Sequence, residues 1–277
     1  MDYSHLYFPG FREKAFTMSY DDGVSQDVRL VELMNKNGVK GTFNLNSACF
    51  GRKRQNGYRL TVEEAKALYI PAGHEVALHG ALHMTLTQVD TATGINDVVS
   101  DRRALEEIFG GIIVGMAYAN GAYNDEVVDY LKKIGVAYAR TTKATNGFAI
   151  PTDWLRLQPT CRHMAENLFE LLDEFLAPPK RTFLRTGPRL FYLWGHSYEF
   201  DDNNDWDRIE KFLEKIGNRE EIYYATNIEI YRYVKAYEAL TFGIDFKSVY
   251  NPTVLDVYLD VWGKQVIAKA GEVTVIE

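Results

Sequence analysis

The chain has 277 residues, of which 46% are hydrophobic and 25% charged, an ordinary balance for a globular protein and a size that suits one large domain with an appendage. No run is long and apolar enough to span a membrane, and residues 1–20 hold Asp2, His5, Arg12, Glu13 and Lys14 without the apolar centre of a leader, so a cytoplasmic protein with no membrane contact is expected. A net charge of −7 argues against a nucleic-acid partner, which calls for a basic face, and fits a neutral or cationic small substrate more easily.

Strand-like and helix-like stretches alternate as far as about Ala239. Strands are expected at Lys14–Tyr20, Val39–Leu45, Glu75–His79, Ile112–Tyr118, Val136–Arg140, Leu190–Gly195 and Glu221–Ala225. Helices are expected near Gln26–Asn37, Thr61–Ile70, Asn96–Phe109, Asp125–Ile134, Met164–Phe175, Trp206–Ile216 and Asn227–Ala239. Thr61 with Glu64, and Thr226 with Glu229, have capping-box spacing. Gly38, Gly135 and Gly217 stand where a left-handed C-terminal cap is expected. Seven strand–helix units with short connections predict an α/β fold over residues 1–240, a (β/α) barrel, irregular or incomplete, more than an open sheet, whose chemistry sits on loops at the carboxyl ends of the strands. Residues 142–157, with Gly147 and Pro151, read as a long loop over that face. Beyond Ala239, Val254–Trp262, Gln265–Ala268 and Glu272–Ile276 alternate around a Gly263-Lys264 turn. They predict a small antiparallel β appendage over residues 241–277, packed on the barrel or on a second copy of the chain in a homo-oligomer.

The strand at Lys14–Tyr20 ends in Asp21, Asp22 and Gly23. Adjacent carboxylates repel, so a fold that holds them together supplies a cation, a shared proton or solvent. By itself, Asp-Asp-Gly reads more readily as a solvated turn before a helix cap. His79 and His83, four apart, can turn two imidazoles toward one point, a spacing that surface and core histidines also share. With Asp22 they form an Asp-His-His set that leaves coordination positions open, as catalytic sites for zinc and its neighbours do. Successive side chains diverge on a strand, which keeps Asp21 out of that set and makes it the candidate general base. His196 closes the apolar stretch Leu193-Trp194-Gly195 and is the candidate general acid, or else a satisfied core residue. His74 and Glu75 read as structural, His5 and His163 as solvated, and Cys49 and Cys161 as buried free thiols without ligand spacing.

In the order and approximate spacing of these motifs, the chain resembles the polysaccharide deacetylases of carbohydrate esterase family 4 over roughly Lys14 to Ala239. The family's T-F-D-D-G is matched by Ser19-Tyr20-Asp21-Asp22-Gly23, and its H-S/T-x-x-H by His79-Gly80-Ala81-Leu82-His83. The resemblance implies a divalent metal, most often zinc, held by Asp22, His79 and His83. It further implies Asp21 as base, His196 as the acid that protonates the leaving amine, and an acetylated amino sugar as substrate.

Three motifs depart from the family pattern. R-P-P-Y-G falls on Ala117-Tyr118-Ala119-Asn120-Gly121, so the arginine that orients the base in relatives is missing. Arg140, at the end of the next strand, is expected to orient Asp21 in its place or to form a surface salt bridge. The Asp/Trp motif is visible only as Asp153-Trp154, with Asp153 expected to fix the tautomer of His196 and Trp154 to wall the acetyl pocket. Leu193 precedes His196 by three positions instead of two, with Trp194 in the apolar role. Tyr118, Asn120 and Tyr123 are expected to line the cleft, since sugars stack on aromatic faces and bond to amides. The leading expectation is therefore a metal-dependent deacetylase of an N-acetylated or O-acetylated sugar. A hydrolase of a non-sugar amide or cyclic ureide, as in the allantoinase-like branch, and a carbohydrate-binding barrel without turnover are the alternatives that the altered third motif keeps open.

Overall fold

In this computed structural model, which describes residues 2–178 and 187–276, a short strand β1 (Leu6–Tyr7) precedes β2 (Lys14–Asp21), and β2 is buried at every position. A strand buried on both faces needs side chains inside and helices outside. Parallel neighbours β3 (Thr42–Leu45), β4 (Glu75–Leu78), β5 (Gly115–Ala117) and β6 (Tyr138–Arg140) follow in that order on one side. On the other side lie β8 (Arg189–Gly195), paired with β2 from Lys14 to Tyr20, and beyond it β7 (Cys161–Arg162). β9 (Ile222–Tyr224) pairs with Lys14–Phe16 while β3 pairs with Ser19–Asp21. The sharing of β2 between them deforms the barrel.

The two ends of the sheet are joined through residues 157–163. Leu157 N donates to Ala139 O (3.0 Å) and Thr141 N to Leu157 O (2.8 Å), while Thr160 N donates to Tyr192 O (2.8 Å) and His163 N to Trp194 O (2.9 Å). The expected loop at 142–157 thus ends by entering a closing strand, and β7 within that strand is too short to give a periodic signal.

Helices α1 (Asp27–Lys36), α2 (Val62–Tyr69), α3 (Thr91–Phe109), α4 (Asp125–Lys133), α5 (Leu168–Leu176), α6 (Tyr198–Asp202), α7 (Trp206–Ile216) and α8 (Asn227–Glu238) complete the α/β pattern. Both capping boxes form. α3 starts at Thr91, earlier than its apolar spacing suggests, because the Asp90 side chain accepts from Thr93 N and caps it. Gly38 and Gly135 are left-handed (φ 65 and 82), but Gly217 is not (φ −73). Gly217 serves close approach instead, since a Cβ there would stand 2.5 Å from Asn37 O.

The tail forms β10 (Thr241–Phe242), β11 (Ser248–Tyr250), β12 (Val257–Val261), β13 (Lys264–Ala268) and β14 (Val273–Val275), in two three-stranded antiparallel sheets, one of them completed by β1. The β12–β13 turn is Trp262-Gly263, one residue earlier than expected, with φ 60 and 87 as a type I′ turn requires. Leu6, Val257 and Leu259 share an apolar cluster with Ala15, Tyr138 and Leu190. Those three barrel residues stand at or next to the starts of their strands, so the appendage seals the amino end and leaves the carboxyl end for chemistry. Among the described residues, no helix is long and apolar enough to cross a membrane.

At the carboxyl end, buried Asp27 joins the loop after β2 to the loop after β8. Its Oδ1 accepts from Ser197 Oγ (2.5 Å), and its Oδ2 accepts from Tyr69 OH (2.6 Å) and Val24 N (3.2 Å). Burial pushes this carboxyl up to about 7, against the opposite pull of the three hydrogen bonds. A carboxyl whose folded pKa exceeds its unfolded one holds its proton more tightly when folded, so native stability falls as pH rises from about 3.8 to about 7. Asp27→Asn removes that titration. Urea denaturation is expected to show the wild type losing a few kcal/mol relative to the variant across this window, and a pH-independent difference would exclude Asp27 as the titrating group.

Candidate active site

β2 delivers both acids into different surroundings. Asp22 N donates to Asn44 O (2.9 Å) and Arg59 Nη1 donates to Asp22 O (2.5 Å), which hold Asp22 at φ 86, a left-handed backbone that non-glycine residues adopt only under constraint. Arg59 Nη1 also donates to Asn46 Oδ1 (2.7 Å). It lies 3.0 Å from Asp22 Oδ1, but both of its hydrogens are committed elsewhere, and this buried oxygen accepts no hydrogen bond. The charge of Asp22 is thus partly balanced while a lone pair stays open.

That oxygen faces two histidines on the loop after β4. Asp101 fastens the loop by accepting from His79 N (3.1 Å) and Ser47 N (2.8 Å), Asp97 by accepting from Leu82 N (3.0 Å), and Asn46 by donating to His79 O (2.8 Å) and Gly80 O (2.7 Å). His83 is again left-handed, at φ 58. His79 Nδ1 lies 2.9 Å from Ala117 O. A carbonyl only accepts, so Nδ1 carries the proton and Nε2 presents its lone pair. Burial lowers the His79 pKa to about 4, against the pull of Asp21 and Asp22, and the ring is neutral at neutral pH. His79 Nε2 is 3.9 Å and His83 Nε2 3.8 Å from Asp22 Oδ1, and one ligand atom from each residue falls within 4.8 Å of the others. An open carboxylate oxygen and two imidazoles on fixed loops suit a divalent cation.

Asp21 belongs to a separate arrangement. Arg140 Nη2 donates to both of its oxygens, and Asn44 Nδ2 donates to Oδ1 (2.8 Å). Arg140 has no exposed surface, and its guanidinium lies 4.5 Å from the centre of the Trp194 ring. Burial alone would raise the Asp21 carboxyl, but Arg140, with His79 and His196, outweighs it and holds the group well below the usual carboxylate range. Ala117 and Arg140 are register partners across β5 and β6. The guanidinium missing at position 117 is therefore supplied at the same height one strand further on.

On the open side of Asp21, His196 Nε2 lies 3.7 Å from Oδ2. The other nitrogen of His196, Nδ1, is 3.2 Å from Glu199 Oε1. Burial pulls the His196 pKa down, but the Glu199 hydrogen bond and the charges of Asp21 and Glu199 pull harder, so the net direction is upward. Glu199 Oε2 also lies 2.9 Å from His163 Nε2, and His163 Nδ1 is 2.9 Å from Tyr20 OH. A chain of polar groups thus runs Asp21, His196, Glu199, His163, Tyr20. His163 is buried, not solvated, because residues 157–163 close the barrel.

The remaining expected residues lie elsewhere. Asp153 caps the turn Trp154–Arg156 and pairs with Arg156 (2.9 Å), while Glu199 occupies the place beside His196 that was expected of Asp153. Trp154 packs edge-on against Tyr231 of α8 in the cluster at the amino end, where its indole completes the core, and is not brought to the triad. Tyr118 is buried, donates to Leu155 O (2.7 Å) and stacks on Tyr123 at 5.1 Å, so Tyr123 presents the more accessible ring. Asn120 is exposed and donates to Thr85 Oγ1 (2.8 Å). His5, also expected in solvent, packs among Phe242, Phe246 and Trp262. Glu199 was within reach of sequence reasoning, since His196-x-x-Glu199 places both on one helical turn.

Residues 9–139 match the family model described as polysaccharide deacetylase. Over those residues the chain is similar to the polysaccharide deacetylases. A protein from Mycobacterium smegmatis assigned provisionally to the polysaccharide deacetylases has a similar fold, with a TM-score of 0.60 at 16% identity over 84% of this chain and 94% of its own. A mutant form of the peptidoglycan deacetylase PdaC from Bacillus subtilis gives 0.50 at 14% identity over 86% and 96%. No curated protein matches the chain by sequence. The matched segment ends one residue before Arg140, so the part of the site from Arg140 to Glu199 lies outside it.

Two substitutions test that geometry. Glu199→Gln is expected to lower the His196 pKa by about one unit or more in an NMR titration, and an unchanged value would remove Glu199 as its partner. Gly195 packs its α-carbon against the His163 ring, which an added Cβ would overlap. Gly195→Ala should therefore cost about 2 kcal/mol in urea denaturation, and full wild-type stability would show that the ring is free to move.

Proposed function

We propose that the domain is a zinc-dependent hydrolase that removes acetyl groups, chiefly N-acetyl, from an amino sugar or oligosaccharide. The observation that carries this reading is the convergence of an Asp22–His79–His83 ligand set with a separately held carboxylate at Asp21 and a histidine at 196 on its open side. Arg140 stands where the family's arginine is missing, and this weakens the case for a binding barrel without turnover. A carboxylate beside a proton-holding histidine serves bond cleavage, and binding alone has no use for it.

When bound, zinc supplies Lewis acidity, which acidifies water and polarises an acyl oxygen. Asp21 Oδ2 accepts the proton of the attacking water, while Arg140 and Asn44 fix the carboxylate. His196 Nε2 gives its proton to the departing nitrogen as the C–N bond breaks, and Glu199 holds the opposite ring nitrogen throughout. The products are acetate and a free amine.

The test is metal analysis followed by acetate release from a panel of N-acetyl and O-acetyl sugars. Asp22→Ala is expected to lose both zinc and turnover. Asp21→Asn should keep zinc while kcat falls about 10²-fold or more. Arg140→Ala should also keep zinc and lose kcat, and full turnover in that variant would end the positioning role given to Arg140. A site that stays empty when zinc is added would undo the mechanism.

A further inference from the structure

Residues 52–59 form a hairpin over the ligand set. Lys53 and Tyr58 bridge its two sides, Arg59 N donates to Arg52 O (2.8 Å), and Leu60 N donates to Gly23 O (2.8 Å), fastening it to the turn that carries Asp22. The hairpin holds Arg52, Lys53, Arg54 and Arg59 and no acid, in a chain of net charge −7. Arg59 is used up in holding Asp22. Arg54 is not. Its guanidinium lies over the Tyr198 ring at 3.9 Å, and Tyr198 in turn stands 5.1 Å from the His196 ring, so Arg54 sits at the rim beside the proposed acid.

The one acid paired with Arg54 among the described residues is Asp22, 3.7 Å from Oδ2. A divalent ion held by Asp22, His79 and His83 would claim that carboxylate and add positive charge near the guanidinium. Arg54 then has donors fixed in direction by stacking and no anion to receive them. Asp202, which lines one cavity with Arg54 and Asn56, is engaged by Asn56 Nδ2 at 2.6 Å. Arg52 and Lys53 are exposed without an ion pair among the described residues and extend the positive field outward.

We propose that this hairpin is an anion-recognition element and that the substrate is an acylated amino sugar bearing a carboxylate or phosphate, which Arg54 receives. The proposal rests on the deacetylase reading for the sugar, but binding tests it without turnover. Overall charge suggested a neutral or cationic substrate, and the local field at the rim reverses that expectation.

The experiment compares N-acetylglucosamine with its 6-phosphate and with N-acetylmuramic acid on the zinc-loaded protein, by calorimetry and by acetate release. The phosphorylated or the carboxylated sugar should bind at least about tenfold more tightly than the neutral one, the size of one charge-assisted hydrogen bond. The two arms tell phosphate from carboxylate. In Arg54→Gln the ratio of anionic to neutral affinity should fall to near one, and Arg54→Lys should restore only part of it, because ammonium lacks the planar stack. The exposed pair Arg52→Gln with Lys53→Gln should weaken the preference and its dependence on salt without threatening the fold. Equal affinity for all three sugars, or a preference that survives Arg54→Gln, overturns the proposal. Anionic preference without acetate release from any sugar would leave the rim assignment standing and remove the deacetylase reading.

Discussion

The barrel and its chemistry both depend on the buried ion pair between Arg140 and Asp21. Along the sheet, β6 and β2 are separated by three strands, so only a sheet curled on itself brings the end of one to the end of the other. Removing two charges from water costs several kcal/mol each, and only close geometry offsets it. Here the offset comes from Nη2 on both carboxylate oxygens, Asn44 on Oδ1 and the Trp194 ring beneath the guanidinium. Residues 157–163, bonded to β6 on one side and β8 on the other, supply the closure that this pair requires. Barrel shape and base orientation are one constraint seen at two scales.

The same constraint divides the work of two neighbouring acids. Both oxygens of Asp21 accept hydrogen bonds, whereas Asp22 keeps an oxygen that accepts none. Adjacent carboxylates normally push each other's pKa values apart. Strand geometry and the φ of 86 at Asp22 send the two side chains toward different partners, and each partner is a cation or a site for one.

Periodicity made the long parts of the fold legible. β2, β8 and the amphipathic α7 repeat their pattern often enough to be read, and the first two metal motifs are contiguous in sequence. Hidden features were those without a local pattern. β7 has two residues, and missing it left His163 to be read as solvated although its ring lies under Gly195. β1 finds its partner β12 some 250 residues away, a pairing that no window of sequence can show. Asp153 and Trp154 had the right residue types, but Asp153 is spent on a cap and Trp154 on the amino-end core. Glu199 stands beside His196 Nδ1, where Asp153 was expected. In the same way Arg140 stands level with Ala117, one strand further on.

In the proposed reaction, acid and base carry opposite electrostatic biases. A carboxylate held as low as Asp21 by Arg140 has little affinity for a proton, so it deprotonates only a water already acidified by a Lewis acid nearby. Without Arg140, burial would push the Asp21 carboxyl upward with only His79 and His196 left to oppose it. The ion pair and the Asp22–His79–His83 set are therefore useful only together, one keeping the base ionised and the other making a weak base sufficient. His196 carries the complementary bias. Glu199 and Asp21 raise its pKa against burial, which favours the proton that the proposed reaction must deliver to the departing nitrogen.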